Sequence, residues 1–121
     1  DSMAYSGLDG RCLSKKVGEY DYKVCFFQKA TQDGNSVTTV GHFKRWETAG
    51  VALFEDGDMC PGGPERSLKV RFQCGAKEEL LEVGEPSRCA YEASAHHPAA
   101  CTEEQLHALS TRRPRRPTEE L

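Results

Sequence analysis

No stretch of the 121-residue sequence approaches the run of about 20 apolar residues that a membrane-spanning helix needs, so the chain reads as soluble. The charged start and apolar core of a secretory signal are missing from its first residues, which leaves any such signal removed or outside this sequence. Excess positive charge is missing as well. The 16 Lys and Arg are set against 19 Asp and Glu, a net charge of -3 with both signs mixed along the chain, and no nucleic-acid partner is expected. Ser, His and Asp all occur, but there is no GxSxG elbow, no phosphate-cradling glycine loop and no cofactor fingerprint. The paired acids Glu78 and Glu79, or Glu103 and Glu104, read as solvated faces. His96 and His97 sit beside Pro98 in what reads as a surface loop, without an identified third metal ligand, and "EDGDMC" lacks the spacing of a calcium loop. The expectation is a chain with no catalytic residue, no cofactor and no metal.

What the chain does have is six cysteines, at positions 12, 25, 60, 74, 89 and 101. An even number spread over one small domain with no CxxC pair reads as a disulfide framework from an oxidising compartment. Zinc is the competing reading, but zinc ligands usually come in close pairs, and the nearest cysteines here, Cys89 and Cys101, have eleven residues between them. Six cysteines allow fifteen pairings, and spacing does not choose among them.

Between the cysteines the chain reads mostly as strands. In "EYDYKVCFF", Tyr20, Tyr22, Val24 and Phe26 share one face and Asp21, Lys23 and Cys25 the other, the period of a half-buried strand. "TTVGHFKRWE" and "VALFED" come next, the second ended by the turn "EDGD". "SLKVRFQC" alternates most cleanly, with Leu68, Val70, Phe72 and Cys74 facing a core. "ELLEV" and "RCAYEA" complete the series, with turn-rich pieces such as "QDGNS" and "CPGGPERS" between strands. Short strands at this spacing predict an all-β fold, a flattened barrel or sandwich of two antiparallel sheets. "TEEQLHAL" has Thr102 and Gln105 at capping-box spacing and predicts a short helix; "STRRPRRPTEEL" beyond it is expected to be disordered. The chain therefore divides into an extension (1–10), one domain (11–102) and a helix with a tail (103–121).

The segment "GEPSRCAYEA" packs an acid, an arginine, a cysteine and a tyrosine together and could be a centre of chemistry, a staple or a binding edge. Taken in order, "YDYKVCFFQKATQ", "GPERSLKVRFQCG", "EPSRCAYEA" and "HPAACTEEQL" resemble the mannose 6-phosphate receptor homology (MRH) domain. Within that family the likeness is nearest to the version in the non-catalytic beta subunit of endoplasmic reticulum glucosidase II, and it spans roughly residues 10 to 109. The resemblance implies a flattened β-barrel and the disulfides Cys12–Cys25, Cys60–Cys89 and Cys74–Cys101. It implies a mannose site made of Gln32, Arg66, Glu85 and Tyr91, whose charged and amphoteric groups suit the donor and acceptor hydroxyls of an uncharged hexose. Taken singly, each of the four also reads as an ordinary turn, surface or core residue.

The same resemblance implies a lectin in the endoplasmic reticulum lumen that binds terminal mannose on high-mannose N-glycans and assists glucose trimming. Its partner would be the catalytic alpha subunit, reached through regions outside this chain. Two alternatives stand beside that reading. One is the MRH domain of the phosphotransferase gamma subunit or of a degradation-pathway lectin; the other is a disulfide-stapled protein-interaction module with no sugar site. The sequence departs from the family in the loop after Cys60, where related subunits often carry a tryptophan and this chain has Pro61 and Gly62. Its only tryptophan, Trp46, reads equally as core filling or as a wall of the pocket.

Overall fold

The structure is a computed structural model that describes residues 2–111. A 3-10 turn over Ser2–Leu8 is followed by eight strands: β1 (Cys12–Val17), β2 (Tyr20–Cys25), β3 (Lys29–Asp33), β4 (Val37–Thr48), β5 (Val51–Glu55), β6 (Ser67–Cys74), β7 (Glu79–Ser87) and β8 (Ala90–His97). A short 3-10 turn, Pro98–Ala100, leads into helix α1 (Glu103–Thr111). The capping box operates as its residues predict: Gln105 N donates to Thr102 Oγ1 and Thr102 N to Gln105 Oε1. The tail beyond Thr111 lies outside the described residues. Among those residues no helix is long and apolar enough to cross a membrane.

The strands form one hydrogen-bonded sheet in the order β1-β2-β3-β4-β5-β6-β8-β7. Its edges, β1 and β7, lie alongside each other, and Arg11 Nη2 joins Glu78 at 2.8 and 3.0 Å across the seam, so the sheet nearly closes on itself. The all-β barrel expected from the alternation is thus the fold of the chain. Two details exceed that expectation. Hydrogen bonding runs unbroken from β1 to β7 in a single sheet, and β6 pairs with β8 in parallel because β8 is inserted between β6 and β7. A strand's period states which face is buried but not which neighbour it pairs with, so alternation could not show this.

Inward residues obey the period of two. On β6 these are Leu68, Val70 and Phe72, and on β8 Tyr91, Ala93, Ala95 and His97, all buried. Val40, Phe54 and Val70 are enclosed almost completely. Burial of such side chains stabilises the barrel by about 1.5–3 kcal/mol each. Strands β1 and β3 went unread in the sequence because each shows only a short apolar alternation. The first residues, set apart as an extension, send Tyr5 into the core, where its ring stacks 4.4 Å from Trp46 and lies 5.9 Å from Phe26 and 5.5 Å from Phe72. Three disulfides, Cys12–Cys25, Cys60–Cys89 and Cys74–Cys101, tie β1 to β2, the loop before β6 to the β7–β8 turn, and β6 to the chain just before α1.

Candidate functional site

At the end of the barrel where β6 begins, a polar recess of about 510 Å³ opens between the β3–β4 hairpin and the start of β6. Gln32, Tyr20, Thr38 and Arg66 line it, with Glu19, Asp21 and Asp33 around its rim. Gln32 lies inside β3, one strand further on than a turn after "YDYKVCFF" would place it, and pairs in register with Tyr22 on β2 and Thr38 on β4. Its Nε2 donates to the Tyr22 hydroxyl at 2.9 Å, half-buried. The Tyr22 ring stands 6.4 Å from that of Tyr91, which is buried on the inner face of β8. Gln32, Tyr22 and Tyr91 therefore form a run of polar-tipped groups along the inside of the mouth.

Arg66 is placed by the loop that precedes it. Gly57 N donates to Arg66 O at 2.8 Å and Arg66 N to Asp58 O at 3.0 Å, so the two limbs of the 57–66 loop are zipped together. Gly57 allows this close seat: a Cβ there would lie 2.5 Å from the carbonyl carbon of Val40 and 2.8 Å from Arg66 O. The guanidinium is half-buried, and its Nη1 donates to the carbonyls of Met59 at 3.1 Å and Asp58 at 3.3 Å. Its Nε has no protein partner among the described residues. One strand across, Ser67 N donates to Cys89 O, which brings the base of Arg66 beside the turn between β7 and β8.

Glu85 lies in the irregular last part of β7, just before that turn. Its Oε2 accepts from Cys89 N at 2.6 Å, bridging a turn in which Cys89 takes the left-handed φ of 64°. The carboxylate is thus partly engaged by its own backbone. The structure does not gather all four predicted residues into one cavity: Gln32 and Arg66 share the recess, and Tyr91 adjoins it through Tyr22. Glu85 lines a separate groove of about 470 Å³ on the β7 side, with Arg71, Glu92 and Ser94.

Trp46 lies elsewhere. It packs on Tyr5, edge-on to Phe27 at 6.1 Å and Phe43 at 5.9 Å, and pairs with Ala52, level with the middle of β6. Its neighbours are the rings of the core, Tyr5, Phe43 and Phe72, and it is not among the residues that line the recess. Tyr22 is the residue that sequence reasoning passed over as part of the site. Its place on an apolar-facing row counted it as core, and only pairing opposite Gln32 brings out its hydroxyl.

Comparison with known proteins bears on this arrangement. The family described as glucosidase II beta subunit-like protein matches residues 3–118. Glucosidase 2 subunit beta of Oryza sativa subsp. indica is 48% identical over 101 residues, covering 82% of this chain and 16% of that protein. The subunit of the same name from Homo sapiens is 33% identical over 107 residues, covering 82% of this chain and 20% of that protein. The chain therefore spans about a sixth to a fifth of the length of these curated relatives. A crystal structure of the MRH domain of glucosidase II beta bound to mannose superposes with a TM-score of 0.73 at 33% identity, over 81% of this chain and 100% of that one.

Proposed function

Because the chain belongs to the glucosidase II beta subunit-like family, we propose that its barrel is a lectin domain binding terminal α-mannose of high-mannose N-glycans. The observation that carries this reading is the recess holding Gln32 and Arg66 next to Tyr22 and Tyr91, in a barrel that matches the whole of an MRH domain solved with mannose. In the proposed site the Arg66 donors left free by Asp58 and Met59 reach sugar oxygens, and charge-assisted bonds of this kind are the stronger sort. Glu85 accepts from neighbouring hydroxyls through the oxygen that Cys89 N does not occupy. Gln32 and the Tyr91 hydroxyl, each able to donate and accept, distinguish the axial 2-hydroxyl of mannose from an equatorial one.

The domain binds and does not catalyse. It belongs to the non-catalytic beta subunit of glucosidase II in the endoplasmic reticulum lumen. Other regions of that subunit hold the catalytic alpha subunit, and the lectin brings glycoproteins to the trimming hydrolase. The test is an NMR titration of the labelled chain with methyl α-mannoside and with α-1,2-, α-1,3- and α-1,6-linked mannobiose. The expected result is saturable shifts of amides around Gln32, Arg66, Glu85 and Tyr91 in the millimolar range, about -4 kcal/mol, since hydroxyl bonds in an open site largely replace bonds to water. No shift with any of these sugars would leave the stapled protein-interaction module as the better account.

A further inference from the structure

The loop that aims Arg66 is gripped from outside by Arg88, on the β7–β8 turn. The two terminal nitrogens of Arg88 donate separately, Nη1 to the carbonyl of Gly63 and Nη2 to that of Pro61, 25 and 27 residues away in sequence. The chain between those carbonyls needs a grip. It reads Pro61-Gly62-Gly63-Pro64, and Gly62 and Gly63 both sit at φ 79°, where glycine is the residue freest to move away again. Nothing lies within 4 Å of where a Cβ on Gly62 would stand, and against Gly63 the described residues place just the flexible Met59 Sδ, at 3.8 Å, so side chains do little to hold the loop. The Cys60–Cys89 disulfide fixes one end, the Met59–Glu65 bridge closes the neck, and Cys60 N to Pro64 O at 3.0 Å and Gly63 N to Cys60 O at 2.7 Å tie the turn to itself, but none of these engages the Pro61 and Gly63 carbonyls at the tip. From that neck the chain runs straight into Arg66, whose Nη1 rests on the Asp58 and Met59 carbonyls of the same loop.

We propose that Arg88 is a positioning residue for the sugar site: its forked guanidinium sets the tip of the 60–65 loop, and the loop sets the direction of Arg66. This inference rests on the mannose-binding reading above. Arginine suits the task because its planar fork presents two fixed donors to two carbonyls, whereas a lysine ammonium acts as a point charge.

The experiment compares the 121-residue chain with its Arg88→Ala and Arg88→Lys variants. It records methyl α-mannoside affinity, the Arg66 Nε–H and residue 61–66 amide resonances, and the thermal midpoint. Arg88→Ala is expected to weaken mannose binding about tenfold or more, since a supporting contact that lets a binding group drift costs on that scale. The Arg66 and loop resonances should move with it. The midpoint should stay close to that of the parent, because Arg88 is exposed and the disulfides remain. Arg88→Lys should fall between the two. Parental affinity in Arg88→Ala, or full recovery in Arg88→Lys, would overturn the proposal. If the alanine variant does not fold, the lysine variant decides by the same measures. Should the parent chain itself not bind mannose, the lectin reading fails, while the Arg66 and loop resonances still judge the clamp: unmoved in Arg88→Ala, they overturn it.

Discussion

At the scale of single residues, Glu85 answers to two demands with one carboxylate. Its Oε2 holds the amide of Cys89 in a left-handed turn, and in the proposed site its charge attracts sugar hydroxyls. The two can be separated. Glu85→Gln keeps an oxygen able to accept from Cys89 N but removes the charge, so mannose binding should be lost with little change in thermal midpoint. Glu85→Ala removes both, and should lose binding together with roughly 1 kcal/mol of stability, the usual worth of such a bond. A melting curve and a titration on each variant check this, and sugar affinity retained in Glu85→Gln would remove Glu85 from the site. Glu85, Gln32, Arg66 and Tyr91 were legible as candidates because ordered motifs point to them one at a time. Tyr22 was not, since a tyrosine on an inward-facing row looks like core until the strand beside it is known. Arg88 was illegible for a similar reason: its partners are backbone carbonyls, and no sequence pattern marks a carbonyl as needing a donor.

At the scale of elements, the seam between β1 and β7 and the turn after β8 meet around one buried histidine. His97 Nδ1 accepts from Ala99 N at 2.9 Å, capping the Pro98–Ala100 turn. Its Nε2 stands 3.4 Å from Glu78 Oε1, the carboxylate that also holds Arg11, and Tyr5 and Phe26 flank the ring. The neighbouring His96 faces Glu79 at 3.3 Å across the β7–β8 pair. Burial pushes the His97 pKa below its ordinary 6.5, outweighing the pull of Glu78, with Arg11 adding to the fall. A depressed histidine favours the neutral ring in the fold, so its contribution is complete above pH 6.5 and is lost as the pH falls below that value. Protonation would also cost the bond from Ala99. Denaturant midpoints at about pH 7.5 and about pH 5.5 should therefore show lower stability in acid, and His97→Gln should flatten the difference. An equal slope in that variant would assign the acid sensitivity to other groups. Here the sequence was least informative: "HHPAA" read as a surface loop, and the Ser2–Leu8 turn has no period to betray that Tyr5 reaches the core. Six of the eight strands could be read from alternation, because period two survives in any strand with one buried face.

At the scale of the whole molecule, charge decides which sugars the proposed site would tolerate. Glu19, Asp21 and Asp33 line it against the single cation of Arg66, and the acid-rich chain between Cys74 and Cys89 forms β7. A phosphate placed near that rim would meet more repulsion than donors. Mannose 6-phosphate is accordingly expected to bind no better than methyl α-mannoside when both are titrated calorimetrically in one buffer. A tenfold preference for the phosphorylated sugar would favour a receptor-like specificity instead. The geometry of the barrel has one more effect. The Ser2–Leu8 turn and the chain leading into α1 meet at the Cys74 end of β6, with Tyr5 6.1 Å from His97, while the recess lies at the Arg66 end, roughly 20 Å away along the strand. The Ser2–Leu8 turn and the chain entering α1 thus lie at the pole opposite the proposed sugar site. In the proposed reading, a lectin tethered from that pole would leave its mouth free, and a tether of suitable length would keep a captured glycan near whatever shares the tether at an effective concentration on the order of millimolar. Against such a local concentration the millimolar affinity proposed above would leave the site half-occupied, so a glycoprotein would be held and still be let go.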